Sequence, residues 1–484
     1  MTNNNPITHQ RNLTMMTDLY QLTMMNGYFL SGASKNIATF DMFFRAKGQL
    51  NYAVFAGLAQ AIDYIKNLRF NNDDIKYLDS LNLFDKGFLK YLADFRFSGE
   101  IYACEEGEIV FPYEPILIVK APLIEAQLIE TALLNIISHQ TLIATKAAKV
   151  VLAAKNKAVI EFGLRRAQGP DAAVYGSRAA IIGGCSGTSN VFAGQLFGLD
   201  IKGTHSHSWV LSHDTELDAF KNFAHSYPNS CLLLVDTYDT LNSGLPNAIK
   251  VFKDLKSKGH KPIGIRLDSG DLAYLSKKCR EALDEAGFND CIIFASGDID
   301  EKIIASLEAQ DAKIDVYGVG TKLITSQDTP SLGGVYKLSS ININGQEIPK
   351  LKISNASLDR ITNPGLKKVY RLYDKDGMAK ADYIALIDEE VKAPLTLKHE
   401  TDIWKKLTLK EFLIRELLVP IFKKGQLVYQ SKTLDCYAKK AKFELDKFWE
   451  EYKRVDSPQI YKVNLSEKLI NLKKSLLGKN GYEI

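Results

Sequence analysis

Short apolar runs alternate with amphipathic stretches along the middle of the chain, from about residue 158 to residue 320. Five runs have the length and composition of buried strands: AVIEF (158–162), CLLLV (231–235), PIGIRL (262–267), CIIFA (291–295) and DVYGV (315–319), and IKGT (201–204) is a weaker sixth. The segments between them have helical periodicity, as in 271–287, where Asp271 and Gly287 mark the start and the end of a helix. Strands that recur across helices predict parallel βαβ units. Six or seven such units favour a closed barrel over an open sheet.

The two flanking regions have a different pattern. A helical stretch (17–29) and strand-like stretches precede the repeats, whereas a hairpin pattern around an Asp-Lys-Asp-Gly turn (368–387) and Lys-rich helical segments follow them. The pattern therefore predicts an N-terminal α+β domain (1–125) and an α/β barrel catalytic domain (126–335). The remaining segment (336–484) is expected to pack beside the N-terminal domain.

Polar residues and glycines stand directly after each predicted strand. They are Arg165, Arg166, Thr204 to His207, Asp236 to Asp239, Arg266, Asp268, Ser296 to Asp298, Gly320 and Thr321. In a (β/α) barrel the carboxyl ends of the strands converge on one rim, where such enzymes hold their substrates. The spacing therefore predicts one functional site at that rim.

Composition and charge narrow the class of ligand. The 61 basic and 57 acidic residues nearly cancel to a net charge of +4, so we expect small-molecule substrates and no nucleic-acid or membrane partner. The polar opening (1–13) lacks the apolar core of a secretory signal, which predicts a cytoplasmic protein. The six cysteines include no C-x-x-C pair, so the spacing predicts neither a disulfide framework nor a zinc knuckle.

Three arginines stand where an anionic substrate would bind. Arg165 and Arg166 follow the first barrel strand in EFGLRRAQGPDAA (161–173), and the next helix is expected to start at Pro170 and Asp171. A guanidinium group binds carboxylate or phosphate through two parallel hydrogen bonds. A surface salt bridge is the alternative for an Arg-Arg pair, but the position at the end of a strand favours binding. Arg266 interrupts an apolar strand in GIRLDSGDL (264–272), and Asp268 after it can accept hydrogen bonds from sugar hydroxyls.

Two Gly-containing loops follow the last two barrel strands, in ASGDID (295–300) and GVGTK (318–322). Exposed backbone N–H groups in such loops can bind phosphate, and barrels commonly bind phosphate at this position. Neither loop is a G-x-G-x-x-G dinucleotide fingerprint, and the chain has no G-x-x-x-x-G-K-[ST] P-loop. Each loop alone is a weak signal, and their shared position makes them candidate phosphate sites.

The pair His205 and His207 in GTHSHSWV (203–210) admits three interpretations. Two histidines at a strand end can be ligands of a metal-dependent hydrolase, although that site needs further ligands from other strand ends. The pair can be structural, with its nitrogens bound by backbone groups. One histidine can also act as a nucleophile or proton carrier among phosphates.

An ordered set of motifs carries a resemblance to a known family. The motifs are TDLYQLTM (17–24), EFGLRRAQGPDAA, GTHSHSWV, LLVDTYDT (233–240), GIRLDSGDL, GVGTKLITSQDTPSLGGVYKL (318–338) and NPGLKKVYRLYDKDG (363–377). In this order and spacing they resemble nicotinate phosphoribosyltransferases, from about residue 17 to residue 390. The resemblance implies an α/β fold, an irregular (β/α) barrel of the type II phosphoribosyltransferase kind, with an α+β companion domain formed by both chain ends.

The resemblance also implies a reaction. Nicotinate, phosphoribosyl pyrophosphate, ATP and water would give nicotinate mononucleotide, pyrophosphate, ADP and phosphate, as the first step of NAD salvage from nicotinate. The family couples the transfer to ATP hydrolysis through a phosphohistidine, with Mg²⁺ accompanying the phosphorylated substrates. It implies a homodimer with shared active sites and assigns no protein ligand to the metal.

Site residues follow from the resemblance position by position. His207 would be the phosphorylated histidine, and His205 occupies a position that varies among relatives. Tyr20, from the partner subunit, and Phe162 would stack on the pyridine ring. Arg266 and Asp268 complete the catalytic set. Arg165, Thr204 and Arg266 would surround nicotinate, and the phosphoribosyl and phosphate groups would contact Arg165, Asp268, Ser296, Gly297, Gly318, Gly320 and Thr321.

Three alternatives stay open on the sequence. The first is a nicotinamide-using relative, for which the family comparison expects an aspartate at position 205. The second is a catalytically silent nucleotide-binding sensor, and the presence of Arg165, His207 and Asp268 argues against it. The third is the metal-dependent hydrolase.

Overall fold

The computed structural model describes residues 12–45, 50–155, 157–354, 360–398 and 404–482. The chain divides into two compact units, one formed by Met1–Leu142 with Ser331–Ile484 and the other by Ile143–Pro330. Among the described residues, no helix has both the length and the apolar content needed to cross a bilayer.

The N-terminal part of the first unit alternates helices with short strands. In chain order its elements are α1 (Leu19–Leu30), β1 (Ile37–Phe44), β2 (Ala53–Val54), α2 (Leu58–Lys66), α3 (Asn72–Ser80), α4 (Lys86–Ala93), β3 (Glu100–Ala103), β4 (Ile109–Val110), β5 (Leu117–Pro122) and α5 (Leu123–Leu128). The long helix α6 (Glu130–Ala153) follows and contains the division between the two units.

The second unit alternates strands and helices throughout. Its elements are β6 (Ala158–Glu161), α7 (Pro170–Ile182), β7 (Gly187–Thr188), α8 (Val191–Phe197), α9 (His207–Leu211), α10 (Glu216–Ser226), β8 (Leu232–Leu234), α11 (Leu245–Ser257), β9 (Gly264–Leu267), α12 (Leu272–Glu285), β10 (Ile292–Ala295), α13 (Glu301–Ala309), β11 (Val316–Val319) and α14 (Thr321–Ile324). The helix signals are confirmed: Asp271 caps α12 by accepting a hydrogen bond from the Tyr274 N–H, and Gly287 has a positive φ of 80° just after the end of the helix.

The C-terminal part of the first unit is rich in strands. Its elements are β12 (Gly334–Ile343), β13 (Gln346–Pro349), β14 (Lys367–Tyr373), β15 (Ala379–Leu386), β16 (Leu395–Lys398), β17 (Lys406–Leu409), β18 (Leu413–Glu416), β19 (Val419–Lys423), β20 (Gln426–Leu427), α15 (Leu434–Leu445), α16 (Glu450–Lys453), β21 (Val463–Leu465) and α17 (Glu467–Lys479). The predicted hairpin is confirmed, because β14 and β15 pair antiparallel across the Asp-Lys-Asp-Gly turn.

Both ends of the chain contribute strands to the same sheet of the first unit. The seven-stranded sheet has the order β13-β12-β1-β5-β3-β19-β20, so β1 from the N-terminal part lies between β12 and β5. A second sheet has the order β18-β14-β15-β21. Phe40 of β1 stacks on Tyr336 of β12, with ring centroids 4.7 Å apart. Burial of such apolar surface holds the two chain ends together in one core.

A buried ion network adds polar contacts between the same two parts of the first unit. Arg371 is 0% exposed and binds Asp382 through two hydrogen bonds, Nε to Oδ1 at 2.9 Å and Nη2 to Oδ2 at 2.7 Å. Its Nη1 donates to Glu108 at 2.9 Å. Burial alone would raise the pKa of Glu108, but the charges of Arg371 and Lys440 hold that pKa at about 2.

Replacing Arg371 by Met is expected to destabilise the protein by about 3–5 kcal/mol, because Asp382 would stay buried without its cation. Differential scanning calorimetry at neutral pH measures the loss as a lower unfolding temperature. Arg454→Met is the matched control. Because Arg454 is exposed, this variant is expected to unfold at the wild-type temperature. Equal unfolding temperatures for the two variants would contradict this account of the network.

The second unit contains a six-stranded parallel sheet with the order β7-β6-β11-β10-β9-β8. All five strong strand predictions and the α/β class with a parallel sheet are confirmed. The weaker run at 201–204 forms only a single parallel bridge, between Thr188 and Ile201. Because β11 pairs with β6, the last strand of the unit lies beside the first.

Candidate active site

A cavity of about 730 Å³ lies within the second unit, beside residues that follow β6 and β7 and precede α9. Its lining is formed by Phe162, Leu164, Arg165, Ser189, Gly203, Thr204, His205, Ser206, Ser208, Trp209, Ser212, Phe223, Tyr227 and Arg266. The predicted site residues Phe162, Arg165, Thr204 and Arg266 are therefore brought together. The volume is that of a small-molecule site.

An aromatic pair and an arginine form one wall of the cavity. Phe162 stacks on Phe294 with ring centroids 5.5 Å apart and planes 17° apart. The Arg266 guanidinium lies 5.3 Å from the centroid of the Phe162 ring. Gly318 makes this stacking possible, since a Cβ atom there would lie 2.7 Å from the Phe294 ring and 2.8 Å from the Phe162 ring. The wall presents a flat apolar face with a cation beside it, which suits an anionic aromatic ligand.

Arg266, Asp268 and Ser296 form a closed hydrogen-bond triangle. Arg266 donates from Nε to Ser296 Oγ at 2.8 Å and from Nη2 to Asp268 Oδ1 at 2.8 Å. The Ser296 hydroxyl in turn donates to Asp268 Oδ1. Burial alone would raise the pKa of Asp268, but the Ser296 hydrogen bond and the Arg266 charge lower it below its usual value. Asp268 is therefore an ionised acceptor at neutral pH.

Asp236 supports this triangle from the end of the neighbouring strand. Its Oδ2 accepts hydrogen bonds from the Asp268 N–H at 2.9 Å and from Ser269 Oγ at 2.6 Å. Its Oδ1 is buried and has no hydrogen-bond partner among the described residues. A buried carboxylate oxygen without a donor is unfavourable by itself, so this atom can bind a cation or a donor from a ligand.

The two histidines have different surroundings. His207 is partly exposed at the start of α9, and its Nδ1 lies 3.1 Å from Thr237 Oγ1. When Nδ1–H donates to Thr237, the lone pair is on Nε2, as a nucleophile requires. His205 is only 8% exposed, and its Nε2 accepts a hydrogen bond from the Leu234 N–H at 3.2 Å. Burial lowers the pKa of His205 to about 4, so this ring is neutral at physiological pH.

The adjacent arginines also differ. Arg165 and Arg166 are both exposed, but only Arg165 lines the cavity. Arg165 forms no ion pair with any residue in the described part of the chain. With respect to the described residues, its guanidinium is therefore available to an anion.

The predicted phosphate residues lie at the ends of β10 and β11. Gly297 has a φ of 115°, and a Cβ atom there would lie 2.5 Å from the Asp268 carbonyl oxygen. Only glycine fits this position, because both the backbone conformation and the space exclude a side chain. Gly320 and Thr321 stand at the start of α14. Gly318 lies inside β11, beneath the Phe162 ring.

Tyr20 belongs to the other unit of the chain, on α1, where 48% of its surface is exposed. An exposed aromatic residue on a helix is available for a contact outside its own core. Its predicted role in ring stacking stays a prediction.

Several residues of this site had no predicted role. Asp236 and Thr237 were placed in the rim cluster and lie in LLVDTYDT, but nothing in that motif indicated which side chain each would contact. Ser189, Trp209 and Tyr227 line the cavity without any motif that singles them out as ligand contacts.

Family models match nearly the whole chain. The model of the nicotinate phosphoribosyltransferase N-terminal domain matches residues 15–138, that of the family itself matches 158–370, and that of the C-terminal domain matches 366–473. The chain belongs to the nicotinate phosphoribosyltransferase family.

Curated members of the family align over most of this chain. The nicotinate phosphoribosyltransferase of Bacillus subtilis is 47% identical over 459 residues, which cover 94% of this chain and 93% of the relative. The nicotinate phosphoribosyltransferase of Homo sapiens is 32% identical, with 96% of each chain covered.

Solved structures show the same fold. The crystal structure of human nicotinic acid phosphoribosyltransferase superposes with a TM-score of 0.84 at 30% identity, covering 95% of this chain and 99% of that one. A nicotinate-nucleotide pyrophosphorylase from Pyrococcus furiosus superposes with a TM-score of 0.68 at 23% identity, covering 92% and 97%. The second likeness shows a shared fold only.

Proposed function

We propose that this protein transfers the phosphoribosyl group of phosphoribosyl pyrophosphate to nicotinate, the first step of NAD salvage from nicotinate. The observation that carries the proposal is Arg266, whose guanidinium is held between the Phe162 ring and the Asp268 carboxylate. A pyridine ring that carries a carboxylate matches this combination of aromatic face and cation.

Different side chains around the cavity bind different parts of nicotinate. Phe162 stacks on the pyridine ring, and Arg266 and Arg165 bind its carboxylate and the new phosphoribosyl group. Thr204 contributes to the same wall, where its hydroxyl is held by the Leu232 carbonyl. These contacts orient the ring nitrogen toward the ribose carbon that loses pyrophosphate, and fixed orientation supplies much of the rate enhancement.

The phosphoribosyl group is bound at the ends of the neighbouring strands. The ionised Asp268 accepts hydrogen bonds from ribose hydroxyls, and the loops that contain Ser296, Gly297, Gly320 and Thr321 present N–H groups to phosphate. Fixed donors and cations stabilise the negative charge that develops on the leaving pyrophosphate.

The residues present fit a Mg²⁺ ion that arrives with the substrate. In the described part of the chain, no group of three or more His, Cys, Asp or Glu side chains is arranged to hold a metal. A substrate-bound Mg²⁺ needs only one or two carboxylates, because phosphates and water complete its shell. Asp236 would hold it through the unpartnered Oδ1. The ion would neutralise charge on the pyrophosphate.

ATP coupling is proposed to proceed through His207. Its Nε2 would take the γ-phosphoryl group of ATP, and the phosphohistidine would be hydrolysed within each cycle. The contact between Nδ1 and Thr237 supports this assignment, because it orients the ring and, when Nδ1–H is the donor, leaves the lone pair on Nε2. ATP is thus a co-substrate, and the enzyme belongs with ATP-coupled ligases.

We infer that the second unit is an irregular (β/α) barrel of the type II phosphoribosyltransferase kind. Its strands follow one another from β6 through β7 to the bridge at Ile201, then from β8 through β9 and β10 to β11, which returns to β6. This cyclic order supports a barrel with one irregular seam, between residue 201 and β8. The first unit, built from both chain ends, is the companion domain. A cytoplasmic location is part of the same proposal.

One assay tests the proposed activity. The protein is incubated with phosphoribosyl pyrophosphate, Mg²⁺ and either nicotinate or nicotinamide, with and without ATP, and the mononucleotide is identified. Nicotinate mononucleotide is expected, with more product when ATP is present. Nicotinamide mononucleotide as the sole product would favour the nicotinamide-using relative, and binding without any product would favour a silent sensor.

The homodimer with shared active sites leads to a complementation prediction. Tyr20 would reach the pyridine ring of the partner's site, so Tyr20→Ala and Asp268→Ala chains, each inactive alone, should recover partial activity when mixed. Hybrid dimers then contain one site with both residues intact. Differently tagged chains verify subunit exchange by co-purification. Exchange without any recovered activity would place Tyr20 outside the shared site.

A further inference from the structure

Strand β8 pairs with β9 along one edge, and its other edge is paired with no strand in the described part of the chain. Cys231 accepts a hydrogen bond from the Ile263 N–H at 2.9 Å, and Val235 donates to the Arg266 carbonyl at 3.1 Å, so alternate residues of this strand face β9. Because backbone groups alternate sides along a strand, the peptide groups of Leu232 and Leu234 point to the opposite edge. The described part of the sheet has no strand paired to that edge.

Two side chains take the place of the missing strand. Thr204 donates from Oγ1 to the Leu232 carbonyl at 2.7 Å, and His205 Nε2 accepts the Leu234 N–H at 3.2 Å. One side chain thus satisfies the acceptor and the next satisfies the donor of the same strand edge. A buried backbone group left without a partner is costly, so this pairing stabilises the seam.

The surroundings of His205 select one protonation state. Its ring lies edge-on to Phe223 with centroids 4.7 Å apart, and its Nδ1 lies 3.3 Å from the Ser206 carbonyl oxygen. A nitrogen that accepts from an N–H carries a lone pair, so the proton is on Nδ1. The charged and titratable groups facing the ring are Arg266 and His207, and both oppose a second proton.

We propose that His205 is a positioning residue for phosphoribosyl transfer, which pins the 203–207 loop to the free edge of β8 as a neutral Nδ1–H imidazole. Thr204 and His207 stand on either side of it in the same loop, so its hydrogen bond sets where both reach the site. The part that concerns phosphoryl transfer rests on the proposed role of His207.

This assignment gives the two histidines separate tasks. Both nitrogens of His205 are engaged by backbone groups, so the ring offers neither a nucleophile to ATP nor an acceptor to a carboxamide. His207, two residues later, has its Nε2 free of any hydrogen bond with the described residues.

A pair of substitutions tests the hydrogen bond. In His205→Gln, the amide oxygen is the same number of bonds from the backbone as Nε2 and can accept the Leu234 N–H, whereas His205→Leu has similar bulk and no acceptor. We expect kcat/KM for nicotinate without ATP to fall about ten- to a hundredfold in the Leu variant and less than about fivefold in the Gln variant. KM for phosphoribosyl pyrophosphate should change less than about twofold in both.

The matched control is His225→Leu, since His225 is exposed on α10 and should leave all constants unchanged. Equal losses in the Gln and Leu variants, or a Leu variant within twofold of wild type, would overturn the proposal. A protein that makes no mononucleotide at all would instead overturn the proposed function.

A spectroscopic test is independent of activity. In wild-type protein labelled with ¹⁵N-histidine, the His205 signals are identified by their loss in His205→Gln. We expect a protonated Nδ1 and an unprotonated Nε2 from pH 8 to pH 5. A proton on Nε2, or titration within this range, would contradict the seam role even in a fully active enzyme.

Discussion

Replacing His207 by Ala is expected to abolish ATP hydrolysis and the stimulation of mononucleotide synthesis by ATP, while slow ATP-independent synthesis remains. The phosphoryl group would be carried by His207 Nε2, whereas glycosyl transfer would be carried out by Arg266, Asp268 and the phosphate loops. The phosphohistidine adds negative charge that orders the site but breaks no glycosidic bond. Removing the imidazole therefore removes the coupling and leaves the transfer groups in place.

The measurement follows both products and the modified residue. ADP and nicotinate mononucleotide are quantified in parallel, and mass spectrometry of ATP-treated protein, kept away from acid, locates the phosphoryl group. His205→Gln is the control, because it should retain phosphorylation on position 207. A phosphoryl group on His205, or ATP coupling that survives in the His207 variant, would move the nucleophile by two positions.

Replacing Arg266 by Lys should cost about 2–4 kcal/mol of transition-state stabilisation, or roughly 30- to 1,000-fold in kcat/KM. The guanidinium donates a hydrogen bond from Nε to Ser296 and another from Nη2 to Asp268, and its other N–H groups can bind an anion. A lysine ammonium has neither the planar fork nor the stacking on Phe162. Arg165→Lys should show a loss in the same range, because Arg165 lines the cavity and forms no ion pair with the described residues.

Arg166→Lys is the matched control for both arginine variants. Arg166 neighbours Arg165 in sequence and is also exposed, but it does not line the cavity, so the activity of the Arg166→Lys enzyme should stay within about twofold of wild type. Steady-state constants for nicotinate and phosphoribosyl pyrophosphate measure all three variants. Wild-type activity in Arg266→Lys and Arg165→Lys would show that neither guanidinium binds a substrate anion.

Local patterns predicted the parallel sheet because each strand is a short apolar run with a helix signal on either side. Asp271, Gly287 and Pro170 mark helix ends through their own backbone chemistry, so the positions of α12 and α7 could be predicted from a few neighbouring residues.

The ordered motifs likewise determined the family, and the strand ends determined which residues meet at the cavity. Arg165, Thr204 and Arg266 come from three separate strand ends, and the rim of a parallel α/β unit is a consequence of its repeating topology. Their meeting at one cavity could therefore be predicted from the sequence.

Only the tertiary structure decided how each side chain is used. Arg371 lies in a strand whose sequence gives no hint of full burial, because its partners Glu108 and Asp382 are set by sheet packing between distant segments. His205 and His207 are two residues apart with the same chemistry, yet one faces the free edge of β8 and the other faces Thr237. Hydrogen-bond partners that are close in space and far apart in sequence leave no local pattern, so roles that depend on them appear only once the chain is folded.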